Sequence, residues 1–188
     1  MKNGRGAVAI LGFLAALVAA PAIAQDRGYF LGATGAFSKW SEICDRTNAP
    51  CDDEDAGWRA FLGYQFNKYV ATEVGVVSLG KATGGDSTGS FKMESAGMDL
   101  SAVFFIPMTT RLSLLGRLGA YRVKTELKDV GESATAVNSA WVYGAGLNYN
   151  LARLGLRAEY LQYYNIGGTS TGKDTVEMFG LTLVFRFY

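Results

Sequence analysis

Phe179-Gly180-Leu181-Thr182-Leu183-Val184-Phe185-Arg186-Phe187 is the stretch that decides the fold. Phe179, Leu181, Leu183, Phe185 and Phe187 share one face, opposite Gly180, Thr182, Val184 and Arg186, which is the period of two of a β-strand. Trp141, Tyr143, Ala145, Leu147 and Tyr149 alternate in the same way with Val142, Gly144, Gly146 and Asn148. Leu156, Ala158 and Tyr160 oppose Arg157 and Glu159, and the run from Ala96 to Ile106 opposes Gly97, Asp99, Ser101 and Val103. Eight such segments follow one another, at roughly 28–37, 57–66, 69–79, 93–106, 112–125, 139–149, 154–164 and 175–187. Each is long enough for a tilted strand to cross a bilayer, which takes roughly 9–11 residues.

The connections between segments alternate in length. Asn67-Lys68, Pro107 to Arg111 and Asn150 to Arg153 are short; Ser38 to Ala56, Gly80 to Lys92, Glu126 to Asn138 and Asn165 to Asp174 are long. In an up-and-down barrel this gathers every long loop at one rim and leaves the short turns with both ends of the barrel at the other. That is the layout of an outer-membrane barrel. The expected fold is therefore all-β: an eight-stranded antiparallel up-and-down transmembrane β-barrel. A soluble ligand-binding barrel in the periplasm has the same alternation with the opposite sense. Two features favour the membrane sense. The polar faces consist mainly of Gly, Ser, Thr and Asn, with too few charges for a water-exposed surface. The apolar faces collect Tyr29, Trp58, Tyr64, Trp141, Tyr149 and Tyr160 near strand ends, as interfacial girdles require.

Residues 1–24 read as a signal peptide. Lys2 and Arg5 form a basic start, Ala7 to Ala20 an apolar core, and Ala22-Ile23-Ala24 a small-x-small cleavage site before Gln25. An uncleaved anchor is the alternative, since Ala7 to Ala24 nearly spans a bilayer. Cleavage leaves the barrel domain at 25–188, with 16 basic and 17 acidic side chains. This near-neutral balance excludes the basic face of a nucleic-acid binder. The chain has no His at all, which closes imidazole-relayed catalysis and His-ligated metal sites. No enzymatic activity and no cofactor are expected.

Several runs resemble the OmpA/OmpX-type outer-membrane barrel family. Gly63-Tyr64-Gln65-Phe66-Asn67-Lys68-Tyr69-Val70, with Glu73 after it, resembles the second hairpin of the OmpA transmembrane domain. Leu100-Ser101-Ala102 followed by Pro107-Met108-Thr109 resembles its fourth strand and turn. Arg157-Ala158-Glu159-Tyr160 and Asn165-Ile166-Gly167 resemble its seventh strand. Phe185-Arg186-Phe187 is similar to the aromatic-Arg-aromatic ending of the superfamily, so Phe185, Phe187 and Tyr188 are the implied C-terminal assembly signal for the barrel assembly machinery. The resemblance implies ion pairs inside the barrel. Glu73 and Arg157 match two members of that cluster, whereas Val103 and Asn148 stand where the family has a lysine and a glutamate. The family's gating pairs therefore do not carry over. The peptidoglycan-binding domain that follows the barrel in full-length OmpA has no counterpart, so cell-wall anchoring is not implied.

The inward faces carry Arg59, Glu73, Asp99, Arg117, Arg157 and Glu159, an expected interior charge network. Unpaired charge in a water-poor lumen is costly, so these should pair with one another. They read either as a structural network filling a polar interior or as a plug whose rearrangement opens a narrow pore. Eight strands leave room for little beyond side chains, which favours the first. Cys44 and Cys51, in the first long loop of an exported protein, read as a disulfide. Asp52-Asp53-Glu54-Asp55 lacks the spacing and Gly of a calcium loop and reads as a solvated run. Gly144 and Gly146 open no helix, which rejects a nucleotide fingerprint.

The expected function is that of a non-enzymatic outer-membrane protein supporting membrane integrity and surface interaction or adhesion through its long loops. A low-conductance pore for small solutes or ions is the alternative. Expected partners are outer-membrane lipid and lipopolysaccharide, the assembly machinery, and a host or surface ligand at the loops. No nucleic acid is expected, and the expected state is a monomer.

Overall fold

The computed structural model describes residues 27–40, 51–52, 54–86, 89–129, 132–168 and 172–187. Its strands are β1 (Gly28–Trp40), β2 (Cys51–Asp52), β3 (Glu54–Asn67), β4 (Val70–Asp86), β5 (Gly89–Pro107), β6 (Leu112–Asp129), β7 (Glu132–Leu151), β8 (Leu154–Gly168) and β9 (Gly172–Phe187). β1 and β3 to β9 make one closed antiparallel sheet, an eight-stranded barrel, and β2 is a two-residue addition beside β4. Each long strand pairs with its sequence neighbours, and β1 closes the ring against β9 from Tyr29↔Phe187 to Trp40↔Val176. Closure leaves no sheet edge, so backbone polar groups are satisfied without water.

The short turns form where side chains stand in for backbone acceptors. Asn67 Oδ1 accepts the N–H groups of Tyr69 and Val70 at 2.8 and 3.0 Å, which fixes the β3–β4 turn. Thr109 Oγ1 accepts those of Arg111 and Leu112 at 3.2 and 2.9 Å in the β5–β6 turn. Ala152, with φ of 49°, turns the chain between β7 and β8.

At the opposite end the structure corrects the expectation of long loops. The β4–β5 ladder continues to Asp86↔Gly89, the β6–β7 ladder to Asp129↔Glu132, and the β8–β9 ladder to Gly168↔Gly172. Strands reach 20 residues, about twice what a bilayer needs. There the hydropathy alternation of the sequence fades, although the backbone ladder persists. Two irregularities mark this passage. β4 shifts register between Ser78 and Lys81, around Gly80 at φ 78°, and β8 shifts between Tyr163 and Ile166, around Asn165 at φ 63°.

The outward face is an apolar belt. Leu31, Met98, Leu100, Leu118, Leu181 and Leu183 are exposed along it. Trp58, Trp141, Tyr160 and Phe179 are exposed toward the long-hairpin end, and Tyr69, Tyr149 and Phe187 toward the short turns.

The inward face differs from the polar interior expected of it, being stratified. Near the short turns, Phe30, Phe61, Ala71, Val103, Phe105, Leu115 and Val184 form an apolar cluster. Phe30 lies opposite Gly63 and Phe61 opposite Gly32, and a Cβ at either glycine would fall on the partner ring. Toward the long hairpins a larger apolar cluster includes Trp40, Val77, Leu79, Tyr121, Val123, Val142, Tyr163 and Met178. Charged side chains occupy the layer between.

Candidate functional site

The middle layer is built on four hairpins whose inward positions alternate with the lipid-facing ones. Arg59 comes from β3, Glu73 from β4, Asp99 from β5, Arg117 from β6, and Arg157 and Glu159 from β8. All six are buried. Glu73 is the hub: its Oε2 accepts Arg59 Nη1 at 3.0 Å and Arg117 Nη1 at 2.7 Å, and its Oε1 accepts Arg157 Nη1 at 2.6 Å. Asp99 takes a two-pronged contact from Arg59, Nε at 2.8 Å and Nη2 at 2.6 Å. Arg117 Nη2 reaches Glu159 Oε1 at 2.7 Å. Three guanidinium groups thus meet three carboxylates, and the layer is neutral as a unit. Bidentate and charge-assisted geometry of this kind is the form in which buried ion pairs offset their desolvation.

Neutral groups complete the layer. Thr182 Oγ1 donates to Glu159 Oε2 at 3.3 Å, and the hydroxyls of Thr34 and Thr182 lie 2.7 Å apart. From the short-turn side, Arg157 faces the rings of Phe30, Phe61 and Phe105 at 5.4, 5.7 and 5.4 Å. Arg59 lies 4.4 Å from the centroid of Phe61. The lower apolar cluster therefore holds the cations by their faces as well as excluding water from them.

Residues beyond the expected six extend the network. Asn148 Oδ1 accepts Arg157 Nε at 3.1 Å, Asn148 Nδ2 donates to Asn150 Oδ1 at 3.0 Å, and Arg186 Nη2 donates to the same oxygen at 2.6 Å. Arg186 is buried. Its alternation with Phe185 and Phe187 already places it on the inward face, so the strand period was a sufficient signal for it. Asn148 and Thr182 carry no charge, and the sequence marks them only by their inward register.

The remaining expected residues lie elsewhere. Phe185 and Phe187 face outward at the short-turn end, with ring centroids 5.2 Å apart. Tyr188 lies outside the described residues, as do Cys44 and the segment 1–26. Cys51 begins β2, opposite Gly84 of β4.

A closed eight-stranded barrel with an apolar belt outside and a sealed ion-paired layer inside is the architecture of a transmembrane protein of the outer membrane. The chain belongs to the OmpA-like transmembrane domain family, whose profile matches residues 24–188. Outer membrane protein A of Escherichia coli O157:H7 is 32% identical over 192 residues, covering 96% of this chain and 53% of that protein. The Shigella flexneri protein of the same name is 32% identical over 179 residues, covering 88% of this chain and 49% of its own length. The chain thus spans about half the length of these relatives. Among solved structures, the fold is similar to Ail, the attachment invasion locus protein of Yersinia pestis, in complex with the heparin analogue sucrose octasulfate. That match has a TM-score of 0.60 at 19% identity and covers 87% of this chain and 100% of Ail. Neisserial surface protein A matches with a TM-score of 0.61 at 13% identity, over 85% of this chain and 97% of its own.

Proposed function

We propose that this protein is a non-conducting, non-enzymatic outer-membrane barrel that supports membrane integrity and offers its long hairpins as a surface for external ligands. One observation carries the reading: the ion-paired layer is sealed by an apolar cluster on each side, while three strand pairs run on past the aromatic belt at one end. A lumen filled in this way suits a rigid pedestal better than a path for ions. Glu73, Arg59, Asp99, Arg117, Arg157 and Glu159 then act as the lock that holds the pedestal. In this reading residues 1–24 direct export and are removed. Phe185, Phe187 and Tyr188 mark the chain for barrel assembly, and Cys44 with Cys51 staples the first external connection.

The reading is tested in an outer-membrane-protein-deficient Gram-negative host. Full-length protein is compared with a variant whose 41–53, 82–91, 127–134 and 167–174 segments are replaced by two-residue turns. Both should reach the outer membrane and restore resistance to detergent. Only the full-length protein should increase adherence to host-cell monolayers. Adherence unchanged by the trimming would overturn the surface role. Steady single-channel steps from the purified barrel in planar bilayers would overturn the sealed lumen and favour the pore.

A further inference from the structure

The short-turn end of the lumen holds a feature that neither the lock nor the hairpins use. A cavity of about 310 Å3 opens there, with Arg27, Lys68, Arg186, Ser113, Asn148 and Asn150 on its wall. These residues come from the approach to β1, the β3–β4 turn, β9, β6 and β7, so the fold, not one segment, gathers them. Among the described residues no carboxylate lines the cavity. Among the described residues every Asp and Glu lies in the middle layer or toward the long hairpins, whereas each of the three short turns carries a cation: Lys68, Arg111 and Arg153.

The cavity wall is ordered from within. Arg186 is held by its 2.6 Å bond to Asn150, and Asn150 through Asn148 and Arg157 to the Glu73 hub. Three cations facing one space, with the amides of Gln65, Asn148 and Asn150 and the hydroxyls of Thr109, Thr110 and Ser113, suit an anion rich in acceptor oxygens, and arginine with lysine is the usual pairing for phosphate. Tyr29 also lines the cavity, and Tyr69 and Tyr149 stand at the same end, which sets the mouth at the depth of lipid headgroups.

We propose that this mouth is a binding site for a phosphate group, carried by an anionic phospholipid headgroup or by a soluble phosphate ester. That this end faces the periplasm rests on the outer-membrane reading above. Binding in detergent does not, so failure of one leaves the other standing.

The test uses the folded full chain in a maltoside detergent, with native mass spectrometry counting retained lipid. Dilauroylphosphatidylglycerol should be retained and dilauroylglycerol, which lacks the phosphate, should not. Lys68→Gln and Arg27→Gln change exposed side chains and should each weaken retention about fivefold, the effect of one cation near an anionic surface. Arg111→Gln and Arg153→Gln remove the same charge at the same end but off the cavity, and should change it less than twofold. Heat-shifted gel migration verifies that each variant is folded. Titration with glycerol 3-phosphate separates the sources. Saturable binding that Lys68→Gln weakens assigns the site to a soluble ester, and retention of the lipid alone assigns it to a headgroup. Absence of both, or equal losses from Lys68→Gln and Arg111→Gln, would overturn the site.

Discussion

Two neighbouring strata of the same lumen are built by the same strands and yet obey different rules. β4 places Glu73 in the ion-paired layer and Val77 and Leu79 in the apolar one beyond it. β6 places Arg117 in the first and Tyr121 and Val123 in the second, and β8 places Arg157 and Glu159 below Leu161 and Tyr163. All are buried. In the charged stratum each member is tolerable only because the others are present, since a lone buried charge has no water to fall back on. In the apolar stratum each side chain contributes by its own area and fit, and losses are local. The charged stratum should therefore fail as a unit and the apolar one by degrees.

Glu73→Gln gives the sharpest separation. It leaves three guanidinium groups facing Asp99 and Glu159 alone, and breaking a buried pair in this way costs about 3–5 kcal/mol. Urea unfolding in lipid vesicles, followed by tryptophan fluorescence, should show the loss. Val123→Ala in the apolar stratum removes two methyl groups from a fully buried site and should cost about 2 kcal/mol. If Val123→Ala proved the more damaging, the contrast between a unit and a sum would fail.

The same contrast explains what could be read from the sequence. Lipid on one side and a lumen on the other enforce a period of two, and Phe179 to Phe187 and Trp141 to Tyr149 display it without ambiguity. Membership of the charged layer was equally legible, because Arg157 and Glu159 stand out against Leu156, Ala158 and Tyr160. The apolar stratum was not. Around Val74, Val76 and Val77 lipid-facing and lumen-facing residues are alike, so hydropathy does not tell one solvent from the other. The hairpin extensions were hidden for the opposite reason: Lys81-Ala82-Thr83-Gly84-Gly85-Asp86 carries no hydropathy alternation, so the pairing shows only in the backbone ladder. Asn148 and Thr182 were missed as members of the network because only the fold shows that their amide and hydroxyl reach Arg157 and Glu159.

A smaller test asks whether the unit includes its neutral members. Thr34→Val keeps the shape of the side chain and removes the 2.7 Å contact with Thr182, while Thr182 keeps its bond to Glu159. The expected loss is about 1 kcal/mol, the worth of one ordinary buried hydrogen bond. A loss as large as that of Glu73→Gln would extend the unit to the threonines.

The smallest expected effect lies farther along β6, the strand that carries Arg117. Lys124 Nζ stands 2.6 Å from Glu126 Oε1, and Arg117 Nη2 stands 2.7 Å from Glu159 Oε1. By distance alone the two pairs are equivalent. The Lys124 and Glu126 side chains, however, are 56% and 43% exposed, whereas those of Arg117 and Glu159 are each 1% exposed. Water solvates either exposed partner when the other is removed, so Lys124→Gln should cost about 0.5 kcal/mol or less. Raising the salt concentration should erase even that difference, because exposed charges are screened within about 10 Å at 0.1 M ionic strength. The Glu73→Gln loss should survive the same change, since the ions do not enter the sealed layer. A salt-sensitive Glu73→Gln would mean that solvent reaches the network, and the two pairs would then differ in degree rather than in kind.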